Sequence, residues 1–240
     1  MVKAQGGNIY IIIVAAGSGT RFGTALPKQF ELLGSRPVVM HAIERLSRIG
    51  GCAGMLLVLN PAHRTLWNDL CQQYGFESPH VVNGGDSRTA SVRNALAALP
   101  HEADNDDAIV LIHDGARPLV DVAKVEHNII GTMKEYGAKC VIPYLPVTDT
   151  LMTNEPKDAL PVDRSHYVAV QTPQAFNGRI LMQSYASMPT GMTMTDDASV
   201  VRKYGSTKIH LAEGSAKTIK ITYPTDLVLA EVLLSEERDC

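Results

Sequence analysis

Apolar residues in this chain come in short unbroken blocks separated by segments of helical period. Ile9 to Val14 is a β-branched run that stops at Ala15-Ala16-Gly17. A continuous apolar block of this length predicts a strand buried on both faces. Pro37 to Ile49 has helical spacing, with proline where a first turn accepts it. Met55 to Leu59 predicts a second strand, closed by Asn60-Pro61, and Ala62 to Tyr74 a helix. Val81-Val82 predicts a short strand ending in Asn83-Gly84-Gly85, with Asp86 a candidate N-cap for a helix through Leu99. Ala108 to Ile112 predicts another buried strand, Val122 to Tyr136 a helix and Ala138 to Ile142 a strand. Strands and helices alternate, so the expected class is α/β, with a mainly parallel sheet covered by helices on both faces.

The alternation breaks near Pro143. Thr148 to Thr153 and Leu160 to Val162 predict two strands of an inserted β-arm, with a turn near Asn154 to Asp158. Such an arm cannot bury both of its faces alone, so it packs either on its own sheet or on a second subunit. Beyond it the pattern predicts a helix near Arg179 to Met188 and short strands near Lys208 to Ala212 and Thr218 to Thr222. A last helix runs from about Pro224 to Glu236. No repeats or low-complexity segments interrupt the chain. The expected organisation is one domain, residues 1–240, with an inserted arm at about 147–170.

Composition narrows the function classes. The 240 residues carry 22 Lys+Arg against 25 Asp+Glu, a formal charge of -3, which argues against a dedicated nucleic-acid binder. Four cysteines, Cys52, Cys71, Cys140 and Cys240, stand far apart with no C-x-x-C, and no two histidines lie three or four residues apart. A zinc site is unsupported, and the thiols read as reduced. No apolar run reaches the roughly 18 residues of a membrane span. The Ile9 to Ala16 run is too short for a signal peptide and leads into a glycine-rich loop, so the expected location is the cytoplasm.

The candidate chemistry sits at the ends of the strands. The first strand leads into Ala15-Ala16-Gly17-Ser18-Gly19-Thr20-Arg21, and Pro27-Lys28-Gln29 follows. Gly17 and Gly19 let a phosphate approach the backbone, and Arg21 and Lys28 add positive charge. A dinucleotide fingerprint fails because Phe22 stands where its third glycine belongs, and no Gly-Lys pair exists for a P-loop. Gly84-Gly85-Asp86-Ser87-Arg88 offers backbone groups, with Asp86, Ser87 and Ser91 able to bond a base or cap the helix. Arg88 is either a base or phosphate neighbour or a solvated helix residue. Asp114, at the end of a buried strand, is a natural magnesium or ribose partner. His113 is a candidate general base or a structural histidine.

As an ordered set, these motifs carry a resemblance. A-A-G-x-G-x-R with P-K-Q, G-G-D-x-R, H-D-G-A-R-P, V-T-D-T at Val147 and V-D-R at Val162 occur in that order. Q-T-P-Q-A-F at Gln171, T-D-D-A-S at Thr195 and I-K-I-T-Y-P-T-D-L at Ile219 complete the series. Together they resemble the 2-C-methyl-D-erythritol 4-phosphate cytidylyltransferases of the non-mevalonate isoprenoid pathway, over essentially the whole chain. The resemblance implies a Rossmann-like nucleotidyltransferase fold, a homodimer, and CMP transfer from CTP to 2-C-methyl-D-erythritol 4-phosphate with Mg2+.

By position, Ala15, Ala16, Gly17, Gly19, Gly85, Asp86 and Ser91 would hold the cytidine. Asp114 and Gly115 would adjoin the ribose, with Asp114 a candidate magnesium ligand unless the ion is held through the CTP phosphates. Arg21, Lys28 and Lys220 would be catalytic. Arg117, Thr172, Thr195 and Asp196 would line the acceptor site, with Thr150 and Arg164 reaching in from the other subunit. Without the resemblance, Thr195 to Ala198 is a helix cap, Lys220 a solvated strand residue and Arg164 a surface charge. The competing functions are a pentitol-phosphate cytidylyltransferase acting on ribitol 5-phosphate and a non-catalytic nucleotide-binding module. V-D-R and T-D-D-A-S favour methylerythritol phosphate over ribitol phosphate, because these segments contact the acceptor in the family.

Overall fold

The computed structural model describes residues 7–17, 22–23 and 26–237. Gly19 and Arg21 of the first loop, and Cys240, lie outside them. Strand β1 (Ile9–Ala15) is central and buried, as its unbroken apolar run requires. Two pairs of residues, β2 (Leu32–Leu33) and β3 (Arg36–Pro37), form a small hairpin before helix α1 (Val38–Leu46). Next come β4 (Cys52–Leu59), α2 (Arg64–Tyr74), β5 (His80–Asn83), α3 (Arg88–Ala97) and β6 (Ile109–Asp114).

The predicted helix over Val122 to Tyr136 is helical throughout. It passes from α4 (Val122–Lys124) through a π-helical stretch, Val125–Ile130, into α5 (Gly131–Tyr136). Strand β7 (Cys140–Pro146) leads to the arm, where β8 (Leu151–Met152) pairs with β9 (Pro161–Val162). The arm ladder is only two residue pairs, shorter than the alternation suggested. It is followed by β10 (Val168–Val170), β11 (Gln174–Asn177), α6 (Gly178–Ser187), α7 (Asp197–Tyr204), β12 (His210–Glu213) and α8 (Pro224–Glu236).

The main sheet runs β10-β7-β11-β6-β1-β4-β5, with β12 pairing to β7. The β6, β1, β4 and β5 pairings are parallel, and β12 joins β7 in parallel. The two-residue periodicity of β1 sorts its side chains between two layers. Ile9, Ile11 and Ile13 pack with Val39, Met40 and Ile43 of α1 and Trp67 of α2. Tyr10 and Ile12 pack with Val92 and Ala95 of α3, Leu181 of α6 and Val200 of α7. A smaller cluster joins Phe22, Leu33, Val38, Leu119 and Ile221 to Ala230 of α8.

Register places the site. Val14 pairs with Asp114, and Ala15 with Leu59. The turn after β1, Asn60 and Asp114 therefore leave the sheet along one edge, where open α/β sheets bind ligands.

Three expectations need correction. The segment Thr218 to Thr222 is not a strand. Its Ile221 N–H bonds the Ala116 carbonyl at 2.8 Å, in the turn after β6, so it lies along a turn with no ladder to join. Strands β10 and β11 were not predicted. β11 is wedged antiparallel between β6 and β7, and its short run, Gln174-Ala175-Phe176-Asn177, has a polar residue at each end although all four residues are buried. Asp86 does not cap α3. Ser87 does, its hydroxyl accepting from the Ala90 N–H at 3.0 Å.

Phe176 is fully buried on the unexpected strand β11. Phe176→Ala should cost about 3–5 kcal/mol in urea unfolding. A loss below about 1 kcal/mol would mean that β11 does not pack as part of the sheet.

Candidate active site

The carboxyl ends of β1, β4, β5 and β6 open onto a cavity of about 560 Å³. Ala15, Ala16 and Gly17 line one wall, with Lys28 beside them. Gln29 accounts for that wall. It is buried, and its amide donates to the carbonyls of Ala15 at 2.9 Å and Gly17 at 3.1 Å. The Pro27-Lys28-Gln29 segment is thereby tied back onto the end of β1.

The opposite wall is Gly85, Asp86, Ser87, Arg88 and Ser91. The Gly85 N–H donates to the Ser91 hydroxyl at 3.1 Å, and Asp86 is exposed at the rim. Gly84 is where the two walls touch. A Cβ there would lie 2.5 Å from the Cβ of Ala16, a clash only glycine avoids.

The floor is a charge cluster around Asp114. Lys220 Nζ donates to Asp114 Oδ2 at 2.7 Å, Arg88 Nε lies 3.4 Å from Oδ1, and Arg117 Nε lies 3.7 Å from Oδ2. Burial alone would raise the Asp114 pKa. Arg88, Lys220 and Arg117 outweigh it and hold the carboxyl well below the usual carboxylate range. Arg88 is shared. Its Nη2 donates to Asp197 at 2.7 Å, and Tyr185 Oη donates to the other Asp197 oxygen at 2.6 Å. Burial opposes the charge on Arg88, but Asp197 and Asp114 keep the guanidinium protonated. Arg117 also donates from Nη1 to the Thr218 carbonyl at 2.8 Å.

His113, beneath the floor, is fully buried. Its Nε2 lies 3.0 Å from the Arg117 carbonyl and its Nδ1 3.1 Å from the Thr172 hydroxyl. The same hydroxyl oxygen accepts the Asp114 backbone N–H at 3.0 Å. Burial disfavours the imidazolium and pulls the His113 pKa down to about 4.

The residues marked in the sequence therefore divide. Ala15, Ala16, Gly17, Lys28, Gly85, Asp86, Ser91, Asp114 and Lys220 share the cavity. Gly115 sits behind it, where a Cβ would meet the Ala15 Cβ at 2.9 Å. Arg117 and Thr172 stand at its base through Asp114 and His113. Asp196 is occupied as the N-cap of α7. Its Oδ1 accepts the Ser199 N–H at 3.0 Å, and its Oδ2 accepts from Gln174 at 2.9 Å. The neighbouring Asp197 is the one that reaches the cluster. Thr195 is exposed beside that cap. Thr150 and Arg164 lie on the arm, outside the described lining of this cavity, where Arg164 donates to the Thr148 carbonyl.

Arg88 was legible only as an undecided charge. The signal that could have decided it is the buried acid of T-D-D-A-S, which needs a counter-ion. A separate cavity of about 300 Å³, between Arg45, Arg48, Val122 and Lys217, gathers none of the marked residues.

Similarity to known proteins agrees with this geometry. The sequence model of the 2-C-methyl-D-erythritol 4-phosphate cytidylyltransferase family matches residues 9–236. The chain belongs to that family. A 2-C-methyl-D-erythritol 4-phosphate cytidylyltransferase of Porphyromonas gingivalis is 40% identical over 228 residues, covering 94% of this chain and 97% of the relative. One from Azobacteroides pseudotrichonymphae is 38% identical, covering 94% and 98%. The crystal structure of the same-named enzyme from Thermus thermophilus superposes with a TM-score of 0.71 at 30% identity, covering 93% of this chain and 98% of that one. The family's mainly parallel nucleotidyltransferase fold is the one described above. No helix among the described residues is long and apolar enough to cross a membrane.

Two other expectations meet the structure here. The described cysteines, Cys52, Cys71 and Cys140, are free thiols, and burial pushes Cys140 up to about 12. For magnesium, no group of three His, Cys, Asp or Glu side chains among the described residues could hold an ion. Both Asp114 oxygens already face cations. As a standing metal ligand Asp114 does not fit, so an ion would have to come with an anionic ligand.

The His113 shift has a sign that can be measured. An ordinary imidazole titrates near 6.5 and this one near 4, so the unfolded chain takes up the proton first as pH falls. The stability contributed by neutral His113 is complete above about pH 6.5 and is lost as pH drops toward 4. Urea midpoints of the wild type should fall more steeply across that window than those of His113→Gln. Parallel curves would contradict a buried neutral imidazole.

Proposed function

We propose that this chain transfers CMP from CTP to 2-C-methyl-D-erythritol 4-phosphate, giving 4-diphosphocytidyl-2-C-methyl-D-erythritol and pyrophosphate. The observation that carries the reading is one cavity in which Lys28 and Lys220 face a glycine-walled slot beside Asp114. The attacking group is a phosphate monoester whose second pKa is about 6, so it is largely dianionic at neutral pH. No general base is needed, and His113 is unsuited to be one, being fully buried with both ring nitrogens engaged. The barrier is repulsion between two anions, which positioning and fixed positive charge lower.

Gly85, Ser91 and the Ala15 to Gly17 turn would receive the nucleoside. Lys28, with Arg21 of the same loop, would stabilise charge on the α-phosphate and the leaving pyrophosphate. Lys220, oriented by Asp114, would meet the incoming phosphate, with Arg117 behind it. Mg2+ would arrive on the triphosphate and neutralise part of its charge.

We also read the working form as a cytoplasmic homodimer. Met152, Leu160 and Tyr167 of the arm are about half exposed, and Val168 and Val170 of edge strand β10 are more than a third exposed. An exposed apolar edge of this kind is covered by a partner or aggregates. Thr150 and Arg164 would then contribute to the partner's acceptor site.

Pyrophosphate release from CTP, compared with methylerythritol phosphate and ribitol 5-phosphate as acceptors, tests the assignment. Release with the former and little with the latter is expected; the reverse preference would reassign the acceptor. Lys28→Ala should lower kcat at least ~100-fold, an electrostatic contribution of the size a charge on the reacting phosphate supplies. Arg164→Ala should mainly raise the acceptor KM. Mixing the two variant chains should restore part of the activity, whereas no recovery would show that each site is complete within one chain.

A further inference from the structure

The mechanism leaves the imidazole buried beneath the floor, His113, without a task, and its surroundings supply one. The partners of His113 fix its proton. A backbone carbonyl only accepts, so Nε2, 3.0 Å from the Arg117 carbonyl, must carry the hydrogen. In a neutral ring Nδ1 is then an acceptor, and the group 3.1 Å away that can donate to it is the Thr172 hydroxyl. With its single proton committed to His113, the Thr172 oxygen accepts the Asp114 N–H at 3.0 Å. The sequence of bonds runs one way, from Asp114 N–H to Thr172 Oγ1–H to His113 to the Arg117 carbonyl.

Both ends of that relay are residues of the floor. Asp114 orients Lys220, and Arg117 lies beside Asp114. The relay therefore closes the His113 to Arg117 turn from beneath and anchors it to Thr172, just ahead of β11. A buried ring making both of its hydrogen bonds has one orientation, and so do the groups it joins.

We infer that His113, held as the neutral Nε2–H tautomer between Thr172 and Arg117, is a positioning residue. It sets the backbone from which Asp114 and Arg117 reach the substrates. The inference rests on the proposed cytidylyl transfer for its kinetic consequence but not for its structural one. Thr172 on this account serves the site mainly through the oxygen it presents to Asp114, rather than by donating to the acceptor phosphate.

The test uses the full chain labelled with 15N-histidine at neutral pH. Side-chain 15N spectra of the ligand-free protein report which ring nitrogen carries the proton, and His113→Gln identifies the His113 signals by their loss. The expected signal is the Nε2–H tautomer. A wild-type His113 in the Nδ1–H form, or exchanging between forms, overturns the proposal whatever reaction the protein performs. Kinetics then separate the roles.

Thr172→Val should shift the His113 Nδ1 resonance and lower kcat by about tenfold or more. Thr172→Ser, which keeps the hydroxyl, should return kcat to within about threefold of the wild type. These sizes correspond to one hydrogen bond of roughly 1–1.5 kcal/mol. A Thr172→Val protein that raises only the acceptor KM, with kcat and the His113 signal unchanged, would instead make Thr172 a direct phosphate contact and overturn the relay. Should Thr172→Val not fold, the wild-type tautomer and the Thr172→Ser comparison decide the matter. Wild-type protein that shows the Nε2–H form but releases no pyrophosphate would sink the functional reading and leave the relay standing.

Discussion

A carboxylate at the end of a buried strand costs several kcal/mol unless counter-charges come to it. Asp114 is such a carboxylate, and three cations from separate parts of the chain converge on it. Arg88 opens α3, Arg117 ends the turn after β6, and Lys220 lies in the extended segment before α8. Their convergence draws three walls around one cavity. Arg88 extends the network to Asp197 and Tyr185, so the first turn of α7 and the body of α6 are held to the same point. The Thr172 and His113 contacts secure that point from below.

The cluster also resolves an apparent conflict in charge. The chain carries a formal charge of -3, while the substrates of the proposed reaction are both polyanions. Attraction cannot come from the whole molecule. For the proposed reaction it would come from Lys28, Lys220 and Arg88 at the cavity and Arg117 at its base, in a partly desolvated setting where a fixed charge acts more strongly than in water. Asp114 is worth its burial there because it orients Lys220 without neutralising the whole group of cations.

How much was legible can be followed residue by residue. The Ile9 to Val14 run and the Met55 to Leu59 run are strands because nothing polar interrupts them, and each lies within a strand of the structure. The final helix spans Pro224–Glu236 as its pattern predicted, with Asp226 accepting from the Thr222 and Tyr223 N–H groups at its start. β11 was not legible because its burial comes from position between β6 and β7, not from composition. Thr218 to Thr222 has the composition of a strand but meets a turn, and a strand needs a ladder as well as a propensity.

The candidate site divides in the same way. What depends on backbone within one turn was legible: Gly17, Lys28 and Gly85 do reach the cavity, and Asp196 does cap α7. Asp196 and Asp197 are adjacent and chemically identical, yet one caps a helix and the other binds Arg88 across the structure. Only helix phase and packing distinguish them. Nothing local to Arg88 says that it faces two carboxylates, and nothing local to His113 says that both its nitrogens are spoken for. The sequence by itself determined the alternating strands and helices of the first half, the glycine turns at the strand ends and the kinds of charge available. The tertiary structure alone decided which charges meet. Pairing across a fold depends on strand register and layer packing, which bring together residues the chain holds far apart.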